Sequence, residues 1–233
     1  HTSIPPPRAP LLSSRYNMWE KRSLFENAAR VPLIIRVPWL KAASSGARTR
    51  GFAELVDIYK TVCELLDVDL PSKDTYAIEG QSLVPLLRDP SATGWSKAVA
   101  LTTFPRCPRS VPLNSTNGWF KNSCIHSTEA SDFGFMGYSM RIDDEKLHHE
   151  YRFTMWVEWN GTALGPLWSN VHSVELYNHT PGSSTSTSSR SEFDLYENIN
   201  LAKTAPPALV AQLTARLKHE FNAIDVRRER SKK

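Results

Sequence analysis

The chain has 233 residues and a formal net charge of +4. Its 40% apolar content and seven tryptophans exclude a disordered polymer, and the length suffices for one large domain or two small ones. No stretch approaches the ~18 consecutive apolar residues that cross a bilayer. The charge excess gathers partly in the tail "DVRRERSKK" (225–233), which lacks the interleaved aromatics of a nucleic-acid surface and reads as a solvated end.

In chain order, residues 1–16 hold Pro5, Pro6, Pro7 and Pro10 without periodicity, so an extended or disordered lead is expected. Lys21 then stands two residues after Trp19 and ahead of "VPLIIRVP" (31–38). That run is nearly all apolar and bounded by prolines, and it predicts a strand covered on both faces in the centre of an α/β sheet. A lysine beside an aromatic at that place suits the neutralisation of an anion at a pocket edge; the competing reading is a surface lysine on a helix.

"GFAELVDIYKTVCELLDVDLP" (51–71) predicts an amphipathic helix with Leu55, Ile58, Tyr59, Val62 and Leu66 on one stripe and Cys63 as a buried thiol. A turn at Gly80 and a short helix from about Ser82 follow, and "KAVALTTFP" (97–105) has strand composition. A long loop after Pro105 contains Cys107 and Cys124, whose placement allows one disulfide without requiring it. "GYSMRI" (137–142) and "YRFTMWVEW" (151–159) predict two antiparallel strands joined by a charged turn, and "SVELYN" (173–178) a third. "PGSSTSTSSRS" (181–191) reads as a flexible loop, and 206–224 as a closing helix with Val210, Leu213, Leu217, Phe221 and Ile224 on one face.

Asn-x-Ser/Thr tripeptides at Asn114, Asn160 and Asn178 all fall in turn-like settings and point to the secretory pathway. A first residue of His1, with no basic-then-apolar leader, is read as a piece of a longer protein. No nucleophile elbow, phosphate loop, dinucleotide fingerprint, H-E-x-x-H or zinc spacing occurs in the sequence. Asp143, Asp144, His148 and His149 cluster in the expected hairpin turn, where charged side chains normally face water.

The segments "MWEKRSLFENAARVPLIIRVP", "ELVDIYKTVCELLDVDLP", "IEGQSLVPLL", "MGYSMRIDDEKLHHEYRFTMWVEWNG", "VELYNH" and "DLYENINLA" occur in the order and at about the spacing of the C-terminal part of sulfatases. "TTFPRCPRS", "MGYSMR" and "YRFTMWVEW" particularly resemble the iduronate-2-sulfatase branch of that family. The resemblance covers roughly residues 17–222. It implies an α/β fold: part of an alkaline-phosphatase-like domain over 17–105, then an antiparallel subdomain with a closing helix over 106–224 and the basic tail.

It also implies hydrolysis of sulfate esters of glycosaminoglycan-type glycans, with a formylglycine nucleophile and calcium, in a lysosomal or secreted protein. The nucleophile motif and the calcium ligands are not found in this chain. Cys107 in "RCPRS" has the wrong order and position for that nucleophile. By resemblance Lys21 is a sulfate-contacting lysine, and Arg141 is chiefly a structural ion-pair partner with a lesser claim to the substrate pocket. The chain is therefore expected to need an N-terminal sulfatase part and to be inactive alone. The alternatives are a non-catalytic, secreted glycan-binding or scaffolding module, and a nucleic-acid binder led by the basic tail.

Overall fold

Period-two alternation of side chains builds the molecule around one sheet. Strands β1 (Val99–Arg106), β2 (Phe135–Asp144), β3 (His149–Asn160) and β4 (Gly165–Asn178) form an antiparallel meander in that order. The structure, a computed structural model, describes residues 23–40, 46–71, 78–91, 95–106, 129–144, 149–180 and 197–230. Its helices are a single turn α1 (Glu26–Ala29), α2 (Asp57–Leu66), α3 (Val84–Arg88) and the long α4 (Pro207–Arg230).

Register decides which side chains share a face. Pairing from Phe135↔Glu158 to Asp144↔His149 sets Tyr138, Met140 and Ile142 beside Tyr151, Phe153 and Met155, and Leu176 of β4 joins them. α4 lays Leu213, Leu217 and Phe221 on that apolar face. Phe153, Leu176 and Leu217 are wholly buried there. Tyr138 packs between Phe221 and Trp168, with ring centroids 4.8 and 4.9 Å away. The expected stripe of the closing helix thus meets the sheet; the side chain of Ile224 lies outside the described residues.

The predicted hairpin of β2 and β3 is present, and β4 extends eight residues upstream of "SVELYN". β1 comes from the segment before residue 106, yet it pairs with β2 from Val99↔Ile142 to Arg106↔Phe135. The described residues therefore contain one antiparallel sheet that draws a strand from each side of residue 106. β3 and β4 slip register around Val157. They are joined by the turn 161–164, where Asn160 Oδ1 accepts the N–H groups of Thr162 and Ala163 at 3.0 and 2.9 Å.

Two expectations are corrected. Residues 31–37 form no strand: Val31 and Ile34 are 51% and 91% exposed. An apolar run becomes a buried strand only when neighbouring strands supply ladder partners and cover, and no described segment does so here.

The second correction concerns α2, which forms, but with its apolar stripe outward. Of the expected stripe Leu55, Tyr59, Val62 and Leu66 are exposed and Ile58 is half-buried, whereas Asp57, Thr61 and Cys63 are buried. The cause is a polar knot. Asp57, fully buried, accepts the N–H groups of Glu54 and Gln81 at 2.7 and 2.8 Å. Lys97 Nζ reaches both Asp57 oxygens at 2.7 and 2.6 Å and Glu54 at 2.6 Å. Thr61 Oγ1 accepts the Leu83 N–H at 2.8 Å, and Gly80, at φ 86°, lets the chain pass close to the Val56 carbonyl. A buried carboxylate held by two amides and an ammonium outweighs the preference of a few aliphatic groups for burial.

Leu217→Ala removes a fully buried side chain between α4 and the sheet. It should lower the unfolding free energy by about 2–5 kcal/mol in urea titrations. A loss below about 1 kcal/mol would contradict the packing described.

Candidate functional site

The second face of the sheet is polar and equally buried. Gly137, Ser139 and Arg141 of β2 lie on it with Arg152, Thr154 and Trp156 of β3, and each of the six is buried. Ser139 stands opposite Thr154, whose hydroxyl donates to it at 2.8 Å. Arg141 stands directly opposite Arg152. Two guanidiniums facing each other across a ladder repel, and burial strengthens the repulsion.

Residues 23–30 resolve it. They cross this face with Leu24 in the notch left by Gly137, where an added Cβ would lie 2.5 Å from Leu24 and 2.6 Å from Trp156. Glu26 then places one carboxylate oxygen on Arg152 Nη2 and 3.6 Å from Arg141 Nε. Its backbone N–H donates to Glu197 Oε2 at 2.7 Å, across 171 residues of sequence. Arg152 Nε donates to Glu197 Oε1 at 2.8 Å, and His179 Nε2 donates to the same oxygen at 2.7 Å. Arg141 Nη2 donates to Glu150 Oε2 at 2.8 Å, while the exposed Arg50 reaches the other Glu150 oxygen at 2.9 Å. Phe52 covers the Arg141 guanidinium, 5.8 Å from ring centroid to Cζ.

Burial alone would raise the pKa of Glu26, but the charges of Arg152 and Arg141 and the Arg152 hydrogen bond outweigh it and hold the carboxyl below 4.5. Burial pulls the Arg141 pKa down against the opposing pull of Glu26 and Glu150. A guanidinium starts so high that it stays charged.

Glu26, His179 and Glu197 offer ligand atoms within 4.8 Å of one another, the one such cation-sized group among the described residues. It does not fit calcium. That ion takes six to eight oxygens, whereas this group has two carboxylates, one imidazole and the Arg152 guanidinium already on both carboxylates. The arrangement is a structural charge clamp.

Of the residues singled out in the sequence, Lys21, Asn114, Cys107 and Cys124 lie outside the described residues. Arg141 belongs to the clamp, Asn160 to the β3–β4 turn, and Asn178 ends β4. Cys63 is a buried free thiol. Glu26, Arg152, His179 and Glu197 were not singled out. Their one sequence signal is an arginine at a period-two position of each of two adjoining apolar strands, which demands a carboxylate from elsewhere.

A family model for the C-terminal region of N-sulphoglucosamine sulphohydrolase matches residues 14–108. Iduronate 2-sulfatase of Homo sapiens is 25% identical over 195 residues, 68% of this chain and 32% of its own length. N-acetylglucosamine-6-O-sulfatase of Bacteroides thetaiotaomicron is 34% identical over 85 residues, 36% of this chain and 14% of its own length. Arylsulfatase K of Xenopus laevis is 30% identical over 90 residues, 39% of this chain and 16% of its own length. The chain spans about a third or less of each of these curated relatives. The resemblance to sulfatases read from the sequence is matched by both comparisons.

Glu26→Gln should destabilise the chain by about 3 kcal/mol at pH 7, because two buried arginines lose their shared carboxylate. Since the folded-state pKa of Glu26 lies below 4.5, its stabilisation is complete above that value and is lost as pH falls through the depressed one. Urea midpoints of the two proteins should therefore differ most near neutrality and converge below pH 4.5. A gap that widens in acid would refute the clamp.

Proposed function

We propose that this chain is the C-terminal portion of a sulfatase that cleaves sulfate esters from glycosaminoglycan-type glycans, in lysosomes or outside the cell. The observation that carries the reading is the family match over residues 14–108, together with similarity to iduronate 2-sulfatase over 68% of the chain. In this reading Lys21 contacts the substrate sulfate, balancing negative charge that no neutral side chain could stabilise. Arg141 serves the same site at a distance, by fixing the face of the sheet on which residues 23–30 rest. The nucleophile and the calcium ligands come from polypeptide beyond this chain, in an alkaline-phosphatase-like α/β part.

The outward apolar surface supports that last point. Val31, Leu33, Ile34 and Trp39 are exposed near the matched segment's start, and Leu55, Val62, Leu66, Val68 and Leu70 are exposed on and after α2. At roughly 25 cal/mol per Å² of apolar area, leaving such a surface in water forgoes several kcal/mol that an adjoining α/β layer would recover. The alternative, a non-catalytic glycan-binding module, predicts that this surface is tolerated uncovered.

Two measurements separate these readings. The chain alone should show no turnover of an aryl sulfate, whereas a longer polypeptide that carries a C-x-P/A-S/A-R motif should turn it over. Lys21→Ala in that polypeptide should lower kcat/KM by about 10²-fold or more. Turnover by the isolated chain, or full activity of the variant, would sink the proposal. Separately, the isolated chain should bind the dye ANS and self-associate. Replacing Leu55, Val62 and Leu66 with serine should reduce both without lowering Tm, since these side chains are exposed. A soluble monomer that binds no dye would favour the module reading.

A further inference from the structure

The fold treats its two described Asn-x-Thr tripeptides differently. Asn160-Gly161-Thr162 forms the tip between β3 and β4, followed by exposed Ala163 and Leu164. The Asn160 oxygen is committed to the turn, accepting two backbone N–H groups. Among the described residues, neither its Nδ2 nor the Thr162 hydroxyl forms a hydrogen bond. Gly161 rests against the Ser131 carbonyl so closely that a Cβ would overlap it, and Trp159 Nε1 donates to the Ala130 carbonyl at 2.8 Å. The tip is thus braced from the side of residues 130–131.

Asn178-His179-Thr180 is tied into the clamp. Asn178 Oδ1 accepts the Thr180 N–H at 2.9 Å, and Thr180 Oγ1 accepts the Glu150 N–H at 2.9 Å. The His179 N–H donates to the Glu150 carbonyl at 2.7 Å, and its ring, 3% exposed, holds Glu197. Opening this tripeptide would strip partners from Glu150 and Glu197, both of which carry arginines.

We propose that Asn160 is an N-glycosylation site and that Asn178 is not. The donor class is an oligosaccharide on a polyprenyl pyrophosphate. The Asn160 Nδ2 attacks the anomeric carbon, and a C–N bond forms as the carbon–oxygen bond to the pyrophosphate breaks. Polyprenyl pyrophosphate leaves with the electron pair, and one amide proton passes to a base of the transferring enzyme. That enzyme reads the tripeptide in an open conformation. Opening the exposed tripeptide at the tip breaks the two bonds that Asn160 accepts, whereas opening Asn178–Thr180 breaks bonds to Glu150 and Glu197 inside the clamp. The glycan then projects from an exposed turn. At Asn178 the same bulk would have to sit beside a strand end that pairs with Tyr151 and next to the buried His179 ring. The inference rests on the described geometry and stands apart from the sulfatase reading.

The test is to direct the full 233-residue chain through the secretory route of a eukaryotic host with a cleavable leader. Glycans are then removed with an amidase in oxygen-18 water, which converts each occupied asparagine to labelled aspartate. Chymotryptic peptides separate the two positions, and the intracellular pool is read as well as the secreted one, so poor export does not hide the outcome. Label should appear at Asn160 in most molecules and be absent from Asn178. Thr162→Ala should abolish the Asn160 label, and Asn160→Gln should leave Asn178 unlabelled. An unlabelled Asn160, or an Asn178 labelled as fully in either protein, overturns the proposal.

Discussion

Arg141 and Arg152, directly opposite each other on β2 and β3, set the constraint on which the rest of the arrangement depends. Placed in a buried sheet face, two like charges would force the strands apart or draw in water. The chain brings two carboxylates from distant places, Glu26 from the start of α1 and Glu197 from the turn before α4, and adds Glu150 from the start of β3 itself. Glu26 and Glu197 thereby tie a segment before β1 and a segment after β4 to one sheet. Removing one partner is far more costly than the net stabilisation by the pair, because what remains is a buried charge without compensation.

The same principle explains the inverted helix. Asp57 and Lys97 hold α2 by its polar side, and the aliphatic stripe is left facing out. Sheet and helix thus divide the work. Hydrophobic burial under α4 supplies non-directional cohesion, while ion pairs fix which segment lies where. The outward stripe and the run at residues 31–34 are alike in being apolar and exposed.

Legibility followed the range of the interactions. The α4 stripe of Leu213, Leu217 and Phe221 and the alternation of β2 and β3 are local periodicities, and both are visible in the residues themselves. The direction α2 faces was not visible. A hydrophobic stripe marks a helix, but a single aspartate within it, bound to a lysine forty residues on, decides its orientation. "VPLIIRVP" has strand composition, and composition cannot supply a neighbouring strand. The Glu26–Glu197 contact joins residues 171 apart and leaves no spacing to read. Arg141 is singled out by resemblance, whereas Arg152 opposite it, which is more deeply buried, is not. Lys21 rests on the family pattern alone.

Gly137 gives the segment over the polar face a second kind of definition. Because it lacks a side chain, Leu24 enters the sheet surface beside Trp156, two residues before Glu26 enters between the arginines. An aliphatic peg and a charged one at a spacing of two cannot both be seated after a slip of one residue. Slipped one way, Phe25 would meet the glycine notch and Asn27 the guanidiniums. Slipped the other way, Ser23 would meet the notch and Phe25 the guanidiniums. The segment is therefore keyed like a two-pin plug: one pin fixes its position and the pair fixes its polarity. Its course along the sheet has a single solution, although no strand pairing holds it there.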